Sequence, residues 1–141
     1  MQVTWETMKA IARTKAIDLW ILFPLGVAVN RLLRRDAKIS EGWQRRLDDF
    51  FGTTDWRNAF YQTKTEVNLF GAESRTEKIA DFDAIARFFV GRLETIFAGV
   101  ARNPLALYNS ANTPLYLLCF SAGNERGAKT AVKIAQDILK P

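Results

Sequence analysis

Six cationic side chains, Arg31, Arg34, Arg35, Lys38, Arg45 and Arg46, stand in one short stretch against two carboxylates, Asp36 and Glu41. Asn30, Trp43, Trp56 and Tyr61 lie among or just beyond them. Guanidinium groups beside aromatic planes are what phosphate contact and base stacking require, so this is the candidate surface for nucleic acid. The competing reading makes Trp43, Trp56 and Tyr61 core anchors of amphipathic helices and the cations a solvated face. Net charge is +5 over 141 residues, and most of that excess sits in this stretch, so the basicity is local.

Other chemistry is scarce. The chain has no histidine, which removes Ser-His-Asp and Cys-His nucleophiles and histidine-ligated metals. The single cysteine, Cys119, can form neither an internal disulfide nor a cysteine-based zinc site, which fits a reducing cytoplasm. Its place inside an apolar run marks it as a small hydrophobe and not a nucleophile. Asp48 with Asp49, and Asp81 with Asp83, stand one or two residues apart, so on a helix they diverge and make poor acid/base pairs. Gly123-Asn124-Glu125-Arg126-Gly127 has the look of a helix start, but a plain cap explains it and it lacks the lysine arrangement of a P-loop.

The elements that must position these residues follow from caps and periods. Thr4 caps a helix over about 5–15 with Met8, Ile11 and Ala12 on one face. Ile17 to Phe23 is a nearly unbroken apolar run closed by Pro24 and Gly26, the pattern of a strand covered on both faces in a parallel sheet. The carboxyl end of such a strand is where ligands gather in open α/β sheets, which adds Phe23, Pro24 and Gly26 to the candidate site. Val27 to Leu33 reads as helical; Ser40 starts a helix carrying Trp43, Leu47, Phe50 and Phe51 that Gly52 ends; a third helix holds Trp56, Phe60 and Tyr61. Residues 63–73 show no period and read as loop. Ser74-Arg75-Thr76-Glu77 has capping-box spacing and opens a long helix reaching Val100. Leu105–Tyr108 and Leu115–Phe120 read as an antiparallel hairpin, and Asn124 caps a last helix.

Length fits one domain over 1–141, and 48% hydrophobic with 25% charged residues is globular composition. Met1 to Glu6 lacks the basic-then-apolar order of a secretory leader. The longest apolar stretch falls short of the ~20 residues that cross a bilayer. A cytoplasmic protein with no membrane partner is expected. The fold class is α/β: one parallel-type strand, a helical insertion over about 27–102, a closing antiparallel hairpin and a C-terminal helix.

At residue level the chain resembles the three-Cys-motif partner family (TcmP), whose members are similar to class I S-adenosylmethionine-dependent methyltransferases with a Rossmann-like sheet. The resemblance rests on Trp5-Glu6-Thr7, Ile11 through Trp20, Leu22-Phe23-Pro24-Leu25-Gly26 and Val29-Asn30-Arg31-Leu32. It continues through Arg46-Leu47-Asp48, Phe51-Gly52-Thr53, Trp56, Phe60-Tyr61, Leu69-Phe70-Gly71 and Pro114 through Leu118. The family's glycine-containing nucleotide-binding segment and its D-P-F-G-type motif have no counterpart here. The resemblance therefore implies a C-terminal, substrate-side part of a methyltransferase-like protein. It carries no catalytic residue onto this chain, which alone binds no cofactor and is not competent for catalysis. S-adenosylmethionine is implied for the full-length family, and a three-Cys-motif protein is implied as partner. A sheet lacking its first half would leave the strand at Ile17–Phe23 unpaired, which predicts a homo-oligomer or a complementing N-terminal half. The alternative is a non-enzymatic module that holds nucleic acid or a protein through its basic insertion. The candidate substrate- or nucleic-acid-binding set is Phe23, Pro24, Gly26, Asn30, Arg31, Arg34, Arg35, Lys38, Trp43, Arg45 and Arg46.

Overall fold

The computed structural model describes residues 3–141; the opening at Met1 and Gln2, where a leader was not expected, lies outside them. The Thr4 hydroxyl accepts the Thr7 N–H and starts helix α1 (Trp5–Arg13), which buries Trp5, Met8 and Ala12. Strand β1 (Leu19–Phe23) follows, then a π-helical turn over Leu25–Val29 and the single turn α2 (Asn30–Leu32). Helix α3 (Glu41–Phe51) runs from a Ser40 cap to Gly52, whose φ of 68° supplies the left-handed residue that ends it. A Cβ at Gly52 would overlap the Trp5 indole, so the glycine also lets α1 and α3 close together. Arg92 seals the same corner. Its guanidinium donates to the Phe51 and Gly52 carbonyls at 2.8 and 3.1 Å and lies 4.5 Å over the Trp5 ring.

Helix α4 (Trp56–Phe60) leads into strands β2 (Tyr61–Asn68) and β3 (Gly71–Lys78), which form an antiparallel ribbon. Helix α5 (Phe82–Glu94), strands β4 (Gly99–Val100), β5 (Leu105–Tyr108) and β6 (Pro114–Ala122), and helix α6 (Ala128–Ile138) complete the chain. It is a mixed α/β protein, as expected. In its main sheet β6 is central, with β1 on one side and β4 and β5 on the other. All three pair antiparallel with β6, β1 in the register Leu19↔Ser121 to Phe23↔Leu117.

Several expectations are corrected here. β1 is not a parallel-type strand: its neighbour among the described residues is the antiparallel β6. The apolar run misled because Ile21 and Phe23 are buried in the main core while Trp20 and Leu22 remain 43% and 53% exposed on the opposite face. The stretch 63–73 is not loop, nor does Ser74 cap a helix; both belong to the β2–β3 ribbon, and α5 starts at Asp81, whose carboxylate accepts the Ala84 N–H at 2.8 Å. The insertion at about 27–102 is therefore helix, ribbon and helix, with β4 already inside it. The last helix begins at Ala128 after Gly127, and Asn124 instead closes the preceding turn by accepting the Arg126 N–H.

The core centres on Phe23. Its ring stacks on Phe89 (centroids 4.3 Å, planes 9° apart) and on Phe50 (5.2 Å, 22°), joining β1 to α5 and α3. Phe51, Phe60 and Phe88 meet edge to face beside it. A smaller cluster of Phe120, Ala122, Ala128, Ala135 and Leu139 holds α6 on the other face. Truncating Phe23 to alanine removes a fully buried ring from a cluster in which Phe23, Phe50 and Phe89 all stack on one another, so F23A is expected to lose about 3–5 kcal/mol in urea unfolding. A loss near that of a surface substitution would show that the stack does not hold these elements together.

Candidate anion-binding cleft

The chain leaves β1 through Pro24, whose carbonyl accepts both the Ala28 and Val29 N–H groups and so closes the π-helical turn. Gly26 sits against the Pro114 carbonyl, which a Cβ would overlap. This packing delivers Asn30 to the base of the ribbon, where its Oδ1 accepts from Lys78 Nζ at 2.5 Å. Two further bonds tie the ribbon to the segment beyond α2: the Lys78 N–H donates to the Arg35 carbonyl at 3.0 Å, and the Tyr61 hydroxyl donates to the Arg34 carbonyl at 2.6 Å. Between segment and ribbon lies an open cleft of about 950 Å³. Asn30, Arg35 and Lys38 line one wall, Arg75, Thr76 and Lys78 the other.

Three carboxylates, Asp36, Glu77 and Asp81, line the cleft as well, and each is engaged by a neighbour. Asp36 accepts the Lys38 N–H at 3.0 Å and pairs with Arg34 at 3.1 Å. The Lys38 amide holds that carboxyl below its usual range, with desolvation opposing it and the charges of Arg34 and Lys38 adding to it. Asp81 caps α5, and Glu77 lies 3.8 Å from Lys64 and from Arg75. Arg35, Lys38 and Lys78 have no ion pair among the described residues. Burial pushes the Lys78 ammonium down in pKa, and the like charge of Arg35 adds to this. The ribbon supplies backbone donors too. The Ile79 N–H bonds the Phe60 carbonyl at 2.8 Å, so the alternate residues Lys78, Thr76 and Ser74 turn their backbone groups away from β2. Cations held side by side without an ion pair, next to the outward N–H groups of Ser74 and Thr76, are suited to bind an anion.

Of the candidate residues, Asn30, Arg35 and Lys38 come together in the cleft. Phe23 is wholly buried in the core, and Pro24 and Gly26 shape the turn. Arg31 is exposed away from the cleft lining, and Arg34 is paired with Asp36. Trp43, Arg45 and Arg46 lie on α3, apart from the cleft: Arg46 covers the Trp43 ring at 4.5 Å, and Arg45 is 3.8 Å from Glu41. Trp56 is a core residue whose Nε1 donates to Asp48 at 2.8 Å, and Asp48 also takes Arg57 at 2.9 Å, so that carboxylate ties α3 to α4. Cys119 is buried, and burial pushes its thiol up to about 12. Sequence reasoning missed Arg75, Thr76 and Lys78, which the ribbon brings in.

Among the described residues no group of three or more metal-ligating side chains converges, and no helix is long and apolar enough to cross a membrane. Comparison with family models, curated proteins and solved structures returns no match for this chain.

Tyr61 offers a pH-dependent test of the ribbon anchor. Burial, with the Asp36 charge adding to it, pushes its phenol up to about 12 from an ordinary value of 10.0. The folded state favours the neutral phenol, so its contribution is full below pH 10 and is lost as pH rises toward 12. Relative to Y61F, the unmodified chain should therefore lose stability across pH 10–12 in denaturant unfolding. Parallel pH profiles for the two would show that the hydroxyl is not held against the Arg34 carbonyl.

Proposed function

We propose that this chain holds the phosphate-bearing part of a substrate, such as single-stranded nucleic acid, in the cleft between the 30–38 segment and β3. In this reading it is the substrate-side portion of a methyltransferase-like protein similar to the three-Cys-motif partner family. The observation that carries the reading is the trio Arg35, Lys38 and Lys78, which no ion pair engages among the described residues, while the carboxylates of the cleft are each bonded by a neighbour. The cleft also lies just beyond the turn that follows β1. Sheet order supports the methyltransferase side of the proposal: β6 runs antiparallel between β1 and β5, which therefore point the same way, as in a sheet closed by one reversed strand.

The cofactor implied for the family does not fit the residues present. S-adenosylmethionine carries a sulfonium cation, and the cations of this cleft, Arg35, Lys38, Arg75 and Lys78, outnumber its carboxylates, Asp36, Glu77 and Asp81. The Gly26 turn is filled by the Pro114 carbonyl and leaves no open backbone cradle. The chain's own part is thus binding and orientation: guanidinium and ammonium groups take phosphate oxygens, and the outward N–H groups of β3 fix their position.

Fluorescence anisotropy with a labelled single-stranded oligonucleotide tests this. The unmodified chain should bind with an affinity that falls as salt rises. R35Q combined with K38Q should weaken binding about tenfold and lower the log-log salt slope by about 1–2, since each lost phosphate contact removes one unit or slightly less. Binding that survives R35Q/K38Q but fails in R45Q/R46Q would move the site to α3 and overturn the assignment to the cleft. Binding of S-adenosylmethionine by the chain alone, measured by calorimetry, would contradict the division of labour proposed.

A further inference from the structure

The β2–β3 ribbon is unusual in what it leaves unsatisfied. Beyond Tyr61, β2 is exposed along its whole length, and the turn at its far end carries Leu69 and Phe70 at 100% and 97% exposure. A two-stranded ribbon is marginal in water by itself. This one also sets like charges against each other: Lys64 faces Arg75, and Glu66 faces Glu73. Glu77 relieves the cations at 3.8 Å, while Glu66 and Glu73 have no ion pair among the described residues. Its three cations, Lys64, Arg75 and Lys78, balance its three carboxylates, Glu66, Glu73 and Glu77, so the ribbon as a whole carries no net charge.

The geometry of the free edge says what fits it. Because the Ile79 N–H bonds the Phe60 carbonyl, Gln62, Lys64 and Glu66 turn their backbone groups toward β3. Tyr61, Thr63, Thr65 and Val67 turn theirs outward, in an uninterrupted register without bulge or proline. We propose that this chain forms a twofold dimer through β2. In that dimer β2 of one copy pairs antiparallel with β2 of a second copy about an axis through Thr65, which turns two ribbons into one four-stranded sheet. That register obeys the outward alternation, since Thr65 meets Thr65 of the second copy and Thr63 meets Val67. It also sets each Lys64 opposite a Glu66 of the other copy, twice over, which supplies the counter-charge that the isolated ribbon lacks. Pairing about Thr63 or Val67 also obeys the alternation, but sets Lys64 against Gln62 or Glu66 against Asn68. The Leu69–Phe70 turn of each copy then reaches the Tyr61 end of the other. The inference is independent of the proposed ligand, because the cleft opens on β3 and the dimer uses the opposite edge of the ribbon.

Sedimentation velocity and size-exclusion chromatography with light scattering on the full chain test it. The unmodified chain should be a dimer. K64E and E66K should each weaken dimerisation by about tenfold or more, because each places like charges opposite one another in both symmetry-related pairs. Mixing K64E with E66K should restore a dimer of one copy of each, and the double variant K64E/E66K should dimerise by itself. T65C gives a second readout: Cα atoms facing each other at about 5.5 Å in such a pair suit a disulfide, so oxidation should crosslink two chains through that position. A monomeric unmodified chain would overturn the proposal. So would a dimer indifferent to both single charge reversals, with no gain on mixing and no crosslink, since it would use another surface such as the open side of β1.

Discussion

Everything that positions the cleft depends on where the end of β1 is held, and the Phe23 ring holds it. Stacked on both Phe50 and Phe89, which also stack on each other, that ring fixes the last residue of the strand against α3 and α5. The chain must then turn at once, because Pro24 follows and Gly26 is wedged against the Pro114 carbonyl at the start of β6. Asn30 has little freedom after such a turn, and it is Asn30 that meets Lys78. A sheet-to-helix aromatic contact thus sets the place of a polar one several residues later. The edge-to-face rings of Phe51, Phe60 and Phe88 do the same for the ribbon, since Phe60 is the residue before β2.

Elements with an apolar period or a cap were legible in the sequence. Thr4 and Ser40 cap the helices expected of them, Gly52 ends α3, and β5 and β6 pair antiparallel as their short connection requires. The ribbon was not legible, for a physical reason. Strand alternation marks a strand with one buried face, and β2 and β3 bury neither face along most of their length. The same absence let Ser74 and Glu77 pass for a capping box, although as strand residues their side chains never meet a helix terminus. The direction of β1 was illegible for another reason: a five-residue apolar strand reads alike whether its neighbour is parallel or antiparallel, and only the partner decides.

The candidate site was half legible. Arg35 and Lys38 stood out as charge in a basic run, but the run itself is not a surface. Arg45 and Arg46 follow within a few residues, yet they lie on α3 and outside the cleft lining, because Ser40 starts a new helix between the two groups. What selects Arg35 and Lys38 from the run is the ribbon, through Lys78 and Tyr61, residues more than twenty positions away in sequence. The bland reading of the aromatics held for Trp56, which is core, and not for Trp43, which is 43% exposed under Arg46.

On the two proposals the edges of the ribbon have separate tasks with one shared cost. β3 can present Thr76 and Lys78 to an anion only while the ribbon is ordered, and a lone two-stranded ribbon with facing like charges spends much of its stability on that order. A strand added at β2 stabilises β3 without touching the cleft. An anion bound against β3 stabilises β2 without touching the free edge. Linkage makes such effects mutual: whatever factor dimerisation adds to anion affinity, the anion adds to dimerisation. The coupling has a definite carrier in the ladder from Phe60 and Ile79 outward, and the bonds of Tyr61 and Lys78 to the 34–35 carbonyls anchor it to the body of the protein.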